Sequence, residues 1–326
     1  MEWGPLTGDD AEALAELWAA MEAEDRTGEV HDVDDAAEQV SSHLIDLGTG
    51  TLAARDGDRI VAFGYLPVRQ TADDLHMMRL SGGVHPAYRR QGLGRHIMDW
   101  SIRTAPGVSE RAHPGVPLEL HVDVPDGRSD LAALVEGAGF TAVRFFAHME
   151  RSLSGDLPAV RPPDGVSIVA WTPELDEGAR HVRNESFLDH WGSVRHTSES
   201  WRAMISGSRN FRPESSFVAL AGGRPVGVLI THVFEAAAAR RGERQAWIQI
   251  IGTLREWRGK GVASRLIGHA LATFGDQGYE SAGLGVDADN PTGAVSVYAR
   301  AGFEITKRST TYALPIKPAG SSPSTP

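Results

Sequence analysis

The chain has 326 residues, with 32 Lys and Arg against 43 Asp and Glu, a formal net charge of −11 and no cysteine. That length suits two domains of about 150 residues, each large enough to bury a core without staples. The absence of cysteine excludes disulfides, thiol nucleophiles and thiolate metal sites, and the acidic balance argues against nucleic acid while suiting a cationic small molecule.

No apolar run approaches the ~18 residues of a membrane span, and the acidic N-terminus lacks a signal-peptide core. A cytoplasmic protein without a membrane partner is therefore expected. Residues 9–23 carry Ala11, Leu14, Ala15, Leu17, Trp18 and Met21 at helical spacing, with Asp10 ahead of them as a cap. The cluster His31-Asp32-Val33-Asp34-Asp35 reads as a solvated acidic turn, and His121-x-Asp123 as strand alternation. Neither assembles three metal ligands, so no metal is expected. Residues 152–165, SLSGDLPAVRPPDG, form an extended linker by composition. A helix is expected over 176–187, and the tail 318–326 is low-complexity.

The two sides of the linker repeat one another. VHPAYRRQGLGRHIMDWSI from Val84 matches TLREWRGKGVASRLIGHAL from Thr253, so that Arg89 meets Arg258, Gly92 meets Gly261 and Gly94 meets Ala263. Leu93, Ile97, Met98 and Ile102 meet Val262, Leu266, Ile267 and Leu271, which is one face of a helix. A β-like run precedes each turn, at 76–84 and 246–254, and EGAGF ending at Phe140 answers ARAGF ending at Phe303. Each half thus reads strand, Gly-rich turn, helix, strand, helix, Gly-Phe and strand. The expected division is 1–151, the linker 152–165, 166–317 and the tail.

Glycines between a buried strand and a helix let the backbone come close to an anion, at the positive end of the helix dipole. Arg258-Gly259-Lys260-Gly261-Val262-Ala263 and Arg89-Arg90-Gln91-Gly92-Leu93-Gly94 both open such a helix and add basic side chains. This arrangement suits a pyrophosphate. An ordinary strand-to-helix turn, with glycines that merely fit the packing, reads equally well on physics alone.

The order of motifs resembles the GNAT family of N-acetyltransferases. Arg/Gln-x-x-Gly-x-Gly/Ala after a strand is similar to that family's acyl-CoA loop. Asn290, Tyr298, Gly302 and Phe303 in GLGVDADNPTGAVSVYARAGF resemble its downstream strand and helix. The resemblance implies an α/β (α+β) fold of two tandem GNAT domains. Each would be a mixed, mostly antiparallel sheet flanked by helices, with a splayed central strand pair. It implies acetyl-CoA as acyl donor, with pyrophosphate on Arg258, Gly259, Lys260, Gly261, Val262, Ala263 and Ser264. Backbone N–H groups of Gly252, Thr253 and Leu254 would hold the thioester oxygen, and Asn290 the pantetheine arm. Tyr298 would protonate the departing thiolate as general acid. As a bare side chain on an amphipathic helix, Tyr298 also fits a core aromatic.

Counting back from Gly139-Phe140 puts Val135 at the place of Tyr298, and valine donates no proton. The first half, with Arg89, Arg90, Gly92 and Gly94, is accordingly expected to be structural or acyl-CoA-binding, and the second half catalytic. Tandem domains of this length resemble the mycothiol synthases and their relatives. Trp247 and His232 stand where those proteins carry an acidic base and a lysine, which implies another small-molecule amine as acceptor. Asp189, His190 and Trp191 fall in a region that resembles the acceptor loops, and a charged and aromatic trio suits an amine. A surface loop with Trp191 in the core is the plain alternative. Candidates for the base are His190, His232, Asp287 or a water on Gln249; Asp287 also fits a turn cap. The tandem chain is expected to be a monomer, a pseudo-dimer of its own halves. A non-catalytic acyl-CoA-binding sensor or scaffold is the rival reading.

Overall fold

The computed structural model describes residues 1–72, 74–155, 165–289 and 293–316. Most of the expected linker (156–164), Asn290 and the tail 318–326 lie outside the described residues. The chain divides into an N-terminal unit, Met1–Arg144 with the chain from Ser309, and a C-terminal unit, Phe145–Arg308.

The N-terminal unit begins with β1 (Glu2–Gly4), α1 (Ala11–Asp25), α2 (Val33–Ser41), α3 (Leu47–Gly50), β2 (Thr51–Asp56) and β3 (Arg59–Tyr65). It continues with β4 (His76–Arg79), β5 (Ser81–Val84), α4 (Leu93–Ala112), β6 (Leu118–Pro125) and α5 (Ser129–Gly137). Helix α1 forms where the apolar spacing calls for it and buries Leu14 and Leu17 with Ile60 and Phe63. Asp10 stands at its N-cap, but its carboxylate accepts from the Thr7 amide at 2.6 Å and from Arg55 at 2.7 Å instead of capping α1. Strands β1, β2, β3 and β5 pair in that order, and β4 runs parallel to β6.

Strand β7 (Thr141–Ser152) starts in this unit, and its residues from Phe145 belong to the C-terminal unit. There follow β8 (Val166–Ala170), α6 (Asp176–Ser186), α7 (Ser198–Trp201), β9 (Phe217–Ala221), β10 (Arg224–His232) and α8 (Glu235–Arg241). Then come β11 (Gln245–Thr253), α9 (Val262–Asp276), β12 (Ser281–Asp287), α10 (Ala294–Arg300) and β13 (Glu304–Ile316). The strand order in the C-terminal unit is β7-β12-β11-β10-β9-β8, antiparallel except for β11 against β12. The mixed, mostly antiparallel α/β architecture expected of the family is therefore present.

Each unit takes its last strand from the far side of the expected boundary. Residues of β7 from Phe146 to Ser152 pair with β12, and Ala147 and Met149 enter the C-terminal core. Residues 309–316 of β13 pair with β6, from Ser309↔Pro125 to Ile316↔Leu118, and Tyr312, Leu314 and Ile316 pack on the N-terminal core. The compact units thus change over at Arg144/Phe145 and Arg308/Ser309, within strands, and not at the Pro-rich stretch.

Candidate active site

In the C-terminal unit β11 pairs with β12 only from Gln245↔Ser281 to Ile248↔Leu284. Beyond that point β11 continues to Thr253 against β10 alone, and β12 continues to Asp287 against β7 alone. The strands part where the β10–β11 register slips between Ile230 and Thr231, leaving Gln249 as one extra residue in β11. A bulge of this kind bends its strand and aims the following backbone elsewhere. The edges facing the gap carry backbone groups without a strand partner, and such groups require a polar ligand or water.

The N-terminal unit repeats this design. There β4 pairs with β6 from His76↔Leu118 to Arg79↔His121, and β5 then pairs with β3 from Tyr65↔Ser81 to Ala62↔Val84. Leu80, the residue between them, is the repeat equivalent of Gln249.

At the end of β11 the chain turns into α9, which packs tightly on β10: a Cβ at Gly227 would lie 2.9 Å from Val262 and 3.1 Å from Leu266. Gly259 and Gly261 hold φ of 73° and 81°, a region that L side chains seldom adopt. A Cβ at either would meet nothing within 4 Å, so open space lies over the loop. The first amides of the 15-residue α9 open there, with Val262 buried beneath and Ala263 and Ser264 following. Lys260 lies over the Trp257 ring at 4.8 Å. Arg258 donates to Asp189 at 3.1 Å and to the Ser186 carbonyl at 3.0 Å, and Arg255 joins Asp189 at 2.9 Å. Hydrogen bonds from Arg258 and Arg255 hold the Asp189 carboxyl below the usual carboxylate range. Asp189 is thus engaged with the loop arginines.

The N-terminal loop keeps the same form. Gly92 caps α4 at φ 88°, and Arg90, at the place of Gly259, is left-handed at φ 63°. Arg89 makes two 2.7 Å bonds to Asp25 as Arg258 bonds Asp189. Gly94 is a packing glycine, since a Cβ there would approach Leu134 to 3.2 Å. Val135, at the place of Tyr298, is fully buried.

Tyr298 lies on α10, buried at 7% exposure with its ring 6.2 Å from Phe303. Burial raises its hydroxyl well above the ordinary value, so it stays protonated, and it makes no hydrogen bond to another described residue.

The remaining candidates lie about the parted strands. His232, the register partner of Trp247, is 4% exposed, and its Nε2 has no partner among the described residues. Burial, with Arg212 nearby, pushes its imidazole down to about 4. Gln249 is exposed. Asp287 is buried and accepts from the Asp289 amide at 3.0 Å, a local turn. His190 stacks on Phe187 at 4.5 Å, and Trp191 meets Phe146 at 6.2 Å. Thr253 is buried at the end of β11, with Gly252 closing on Ser186 of α6 and Leu254 in the core. Phe146, His148 and Glu150 of β7 join this region, and sequence reading missed them because β7 fell before the linker. The length of the strand, 12 residues, was the available signal. His121, set aside as a ligand, bonds Glu119 at 3.0 Å.

Parted parallel strands beside a left-handed glycine turn at a helix N-terminus have the form that an acyl-CoA-dependent acyltransferase needs, a free strand edge for the thioester and open amides for the pyrophosphate. A sequence model of the Acetyltransferase (GNAT) family matches residues 12–124 and 178–303, and the chain belongs to that family. It is 29% identical over 325 residues to the mycothiol acetyltransferase of Mycolicibacterium vanbaalenii, covering 95% of each chain. It is 31% identical over 266 residues to that of Thermobispora bispora, covering 78% of this chain and 80% of the relative. A GCN5-related N-acetyltransferase from Sphaerobacter thermophilus superposes with a TM-score of 0.77 at 25% identity, covering 97% and 96%. A tandem GNAT protein from the clavulanic acid biosynthesis pathway shares the fold at TM-score 0.65 and 20% identity, covering 98% and 99%. The chain is an acetyl-CoA-dependent N-acetyltransferase of tandem type. Among the described residues no helix is long and apolar enough to cross a membrane.

Proposed function

We propose that the C-terminal unit transfers the acetyl group of acetyl-CoA to the primary amine of a small molecule by direct attack within a ternary complex. The observation that carries this reading is the parting of β11 from β12 at Gln249, ending in the left-handed glycines 259 and 261. The pyrophosphate lies on the first amides of α9, with Lys260 beside it. The thioester lies along the free edge of β11, where the Thr253 N–H meets the developing oxyanion, the Leu254 N–H being given to the Val226 carbonyl at 3.0 Å. The amine nitrogen attacks the carbonyl carbon, the C–S bond breaks, the Tyr298 hydroxyl gives its proton to the sulfur, and the proton leaving the acylated nitrogen passes through water to restore the phenol.

An amine near the lysine reference value of ~10.4 must first lose a proton. His232, down at about 4, is too weak a base to take it, and Asp189 is held by two arginines. Water at the exposed Gln249 takes the proton to solvent. The resemblance puts Trp247 and His232 where mycothiol synthases carry an acid and a lysine, so the acceptor amine is a different one. The test is release of free CoA thiol from acetyl-CoA across a panel of primary amines. Thiol release that no amine accelerates, from protein that binds acetyl-CoA, would end the proposal.

A further inference from the structure

We infer that the acceptor amine is carried on an aromatic body lying on a floor at Gly285, against a wall formed by the touching rings of Trp247 and His148. The inference rests on the reading above and deepens it. Strand β12 is central, with β7 on one side and β11 on the other. Side chains of a central strand are normally covered, and the neighbours on the same face, Gly283 and Asp287, are buried, yet Gly285 between them is exposed.

Neither backbone nor packing demands glycine at this position. Gly285 is not among the residues of positive φ, and an added Cβ would meet only the Trp247 ring, at an ordinary 3.8 Å. Two residues earlier the case is the reverse. A Cβ at Gly283 would lie 2.9 Å from Trp247 Cε3, so the indole already fills that position. Trp247 therefore lies along β12 with its edge reaching the open floor. His148, the register partner of Gly285, meets Trp247 edge to face, its ring at 5.6 Å and inclined at 61°, so the two rings together form one wall beside the floor. Phe146, on the same face two residues away, meets Trp191.

The floor lies where a substrate must come. Gly285 is the first residue of β12 past its last pair with β11, at the mouth of the parted strands. The carboxylates nearby are engaged: Glu150 faces Arg241 at 3.8 Å, the buried Asp287 accepts from the Asp289 amide at 3.0 Å, and Asp189 faces Arg255 and Arg258. A polycationic body finds its carboxylates taken, and a sugar finds rings in place of a polar lining. An aromatic body gains offset or edge contacts with Trp247 and His148.

The test compares phenethylamine with glucosamine and putrescine as acceptors for the full chain. Phenethylamine is expected to have a kcat/KM about tenfold above either, the size of one good aromatic contact. Gly285→Val fills the floor and suits a strand, so it should melt no lower than the wild type and bind acetyl-CoA as before. Its KM for phenethylamine should rise about tenfold. Should that variant misfold, Trp247→Leu removes the wall instead, with the same KM effect. Preference for glucosamine or putrescine, or a wild-type KM in folded Gly285→Val, overturns the inference while leaving the acetyltransferase reading intact. If no amine turns over, the reading above fails. Calorimetry of phenethylamine with the CoA-loaded protein then decides the aromatic site: binding lost in Gly285→Val supports it, and absent or unaltered binding overturns it.

Discussion

Gly92 and Gly261 stand at one place in the repeat, each the N-cap of a helix and each left-handed, at φ 88° and 81°. A valine at either pays the same backbone strain, about 1–2 kcal/mol. The two variants should therefore lose similar stability in urea. Only Gly261→Val also sets a side chain in the cradle assigned to the reacting acetyl-CoA. Its kcat/KM for acetyl-CoA should fall about a hundredfold, the loss of one or two charge-assisted hydrogen bonds, while Gly92→Val keeps most turnover. Equal kinetics in the two folded variants would remove the C-terminal loop from the mechanism.

Asp189 separates two roles that its position in an acceptor-like loop leaves joined. It bridges Arg255 and Arg258, as Asp25 holds Arg89 in the other unit. Asp189→Asn should raise the KM for acetyl-CoA about threefold to tenfold, because the loop arginines lose their anchor, and should leave the KM of the amine alone. Steady-state kinetics with each substrate varied in turn decides the matter. A change confined to the amine would return Asp189 to the acceptor site.

The features legible in sequence are the local ones. Gly259, Gly261 and the apolar stripe of Val262, Leu266 and Ile267 announce a turn and a buried helix face through a few adjacent residues, and they fold as that pattern dictates. The parting at Gln249 is not local, because a bulge depends on the register of β10 and neither Gln249 nor its equivalent Leu80 is a residue type that signals one. Phe146 and His148 were hidden for a related reason. Composition marks 152–165 as the boundary, but β7 and β13, of 12 and 13 residues, run about twice the usual strand length. Pairing with β12 and β6 decides which unit their ends complete, and pairing leaves no mark in alternation alone.

That pairing predicts the effect of shortening the chain. A chain ending at Arg308 loses the strand that covers β6, together with the 3.1 Å bond from Tyr312 to Glu136. Leu120, Val122 and Val124 then border an open edge. Amide exchange should show protection lost across 118–125 while β10 and β11 stay protected. Full protection of β6 in the shortened chain would mean that residues 309–316 are dispensable.

Burial lowers the imidazoles of all three buried histidines among the described residues, His76, His121 and His232, and two of them by the most. Burial pushes His232 and His76 from 6.5 down to about 4, His232 also feeling Arg212 and His76 feeling His113 and Arg69. The unfolded chain binds these protons first, so stability is undiminished above about 6.5 and falls as pH drops toward 4. For each of these two the loss between pH 7 and 5 is about 2 kcal/mol. His232→Gln should therefore lose about 2 kcal/mol less than the wild type over that interval in urea titrations. Parallel losses in the two proteins would show that His232 does not titrate there.

Tyr298→Phe isolates the proposed acid, because it keeps the ring against Phe303 and removes the hydroxyl alone. Burial raises that hydroxyl well above its ordinary value, so it is a donor throughout the neutral range and the loss should not vary with pH there. General-acid catalysis contributes about 10²–10⁴-fold. A CoA thiolate with a reference value near ~8.5 already leaves tolerably, which puts the expected loss at the low end, about a hundredfold in kcat. The KM for acetyl-CoA should change little. Stability should hold, because the hydroxyl bonds to no other described residue and its removal orphans no partner among them. A more acidic leaving thiol supplies the decisive comparison. An acetyl thioester of an aromatic thiol needs no proton at sulfur, so the gap between Tyr298→Phe and the wild type should shrink with that donor. A gap of the same size with both donors, or near-wild-type kcat where chemistry limits turnover, would make Tyr298 a packing residue and leave protonation of the sulfur to water.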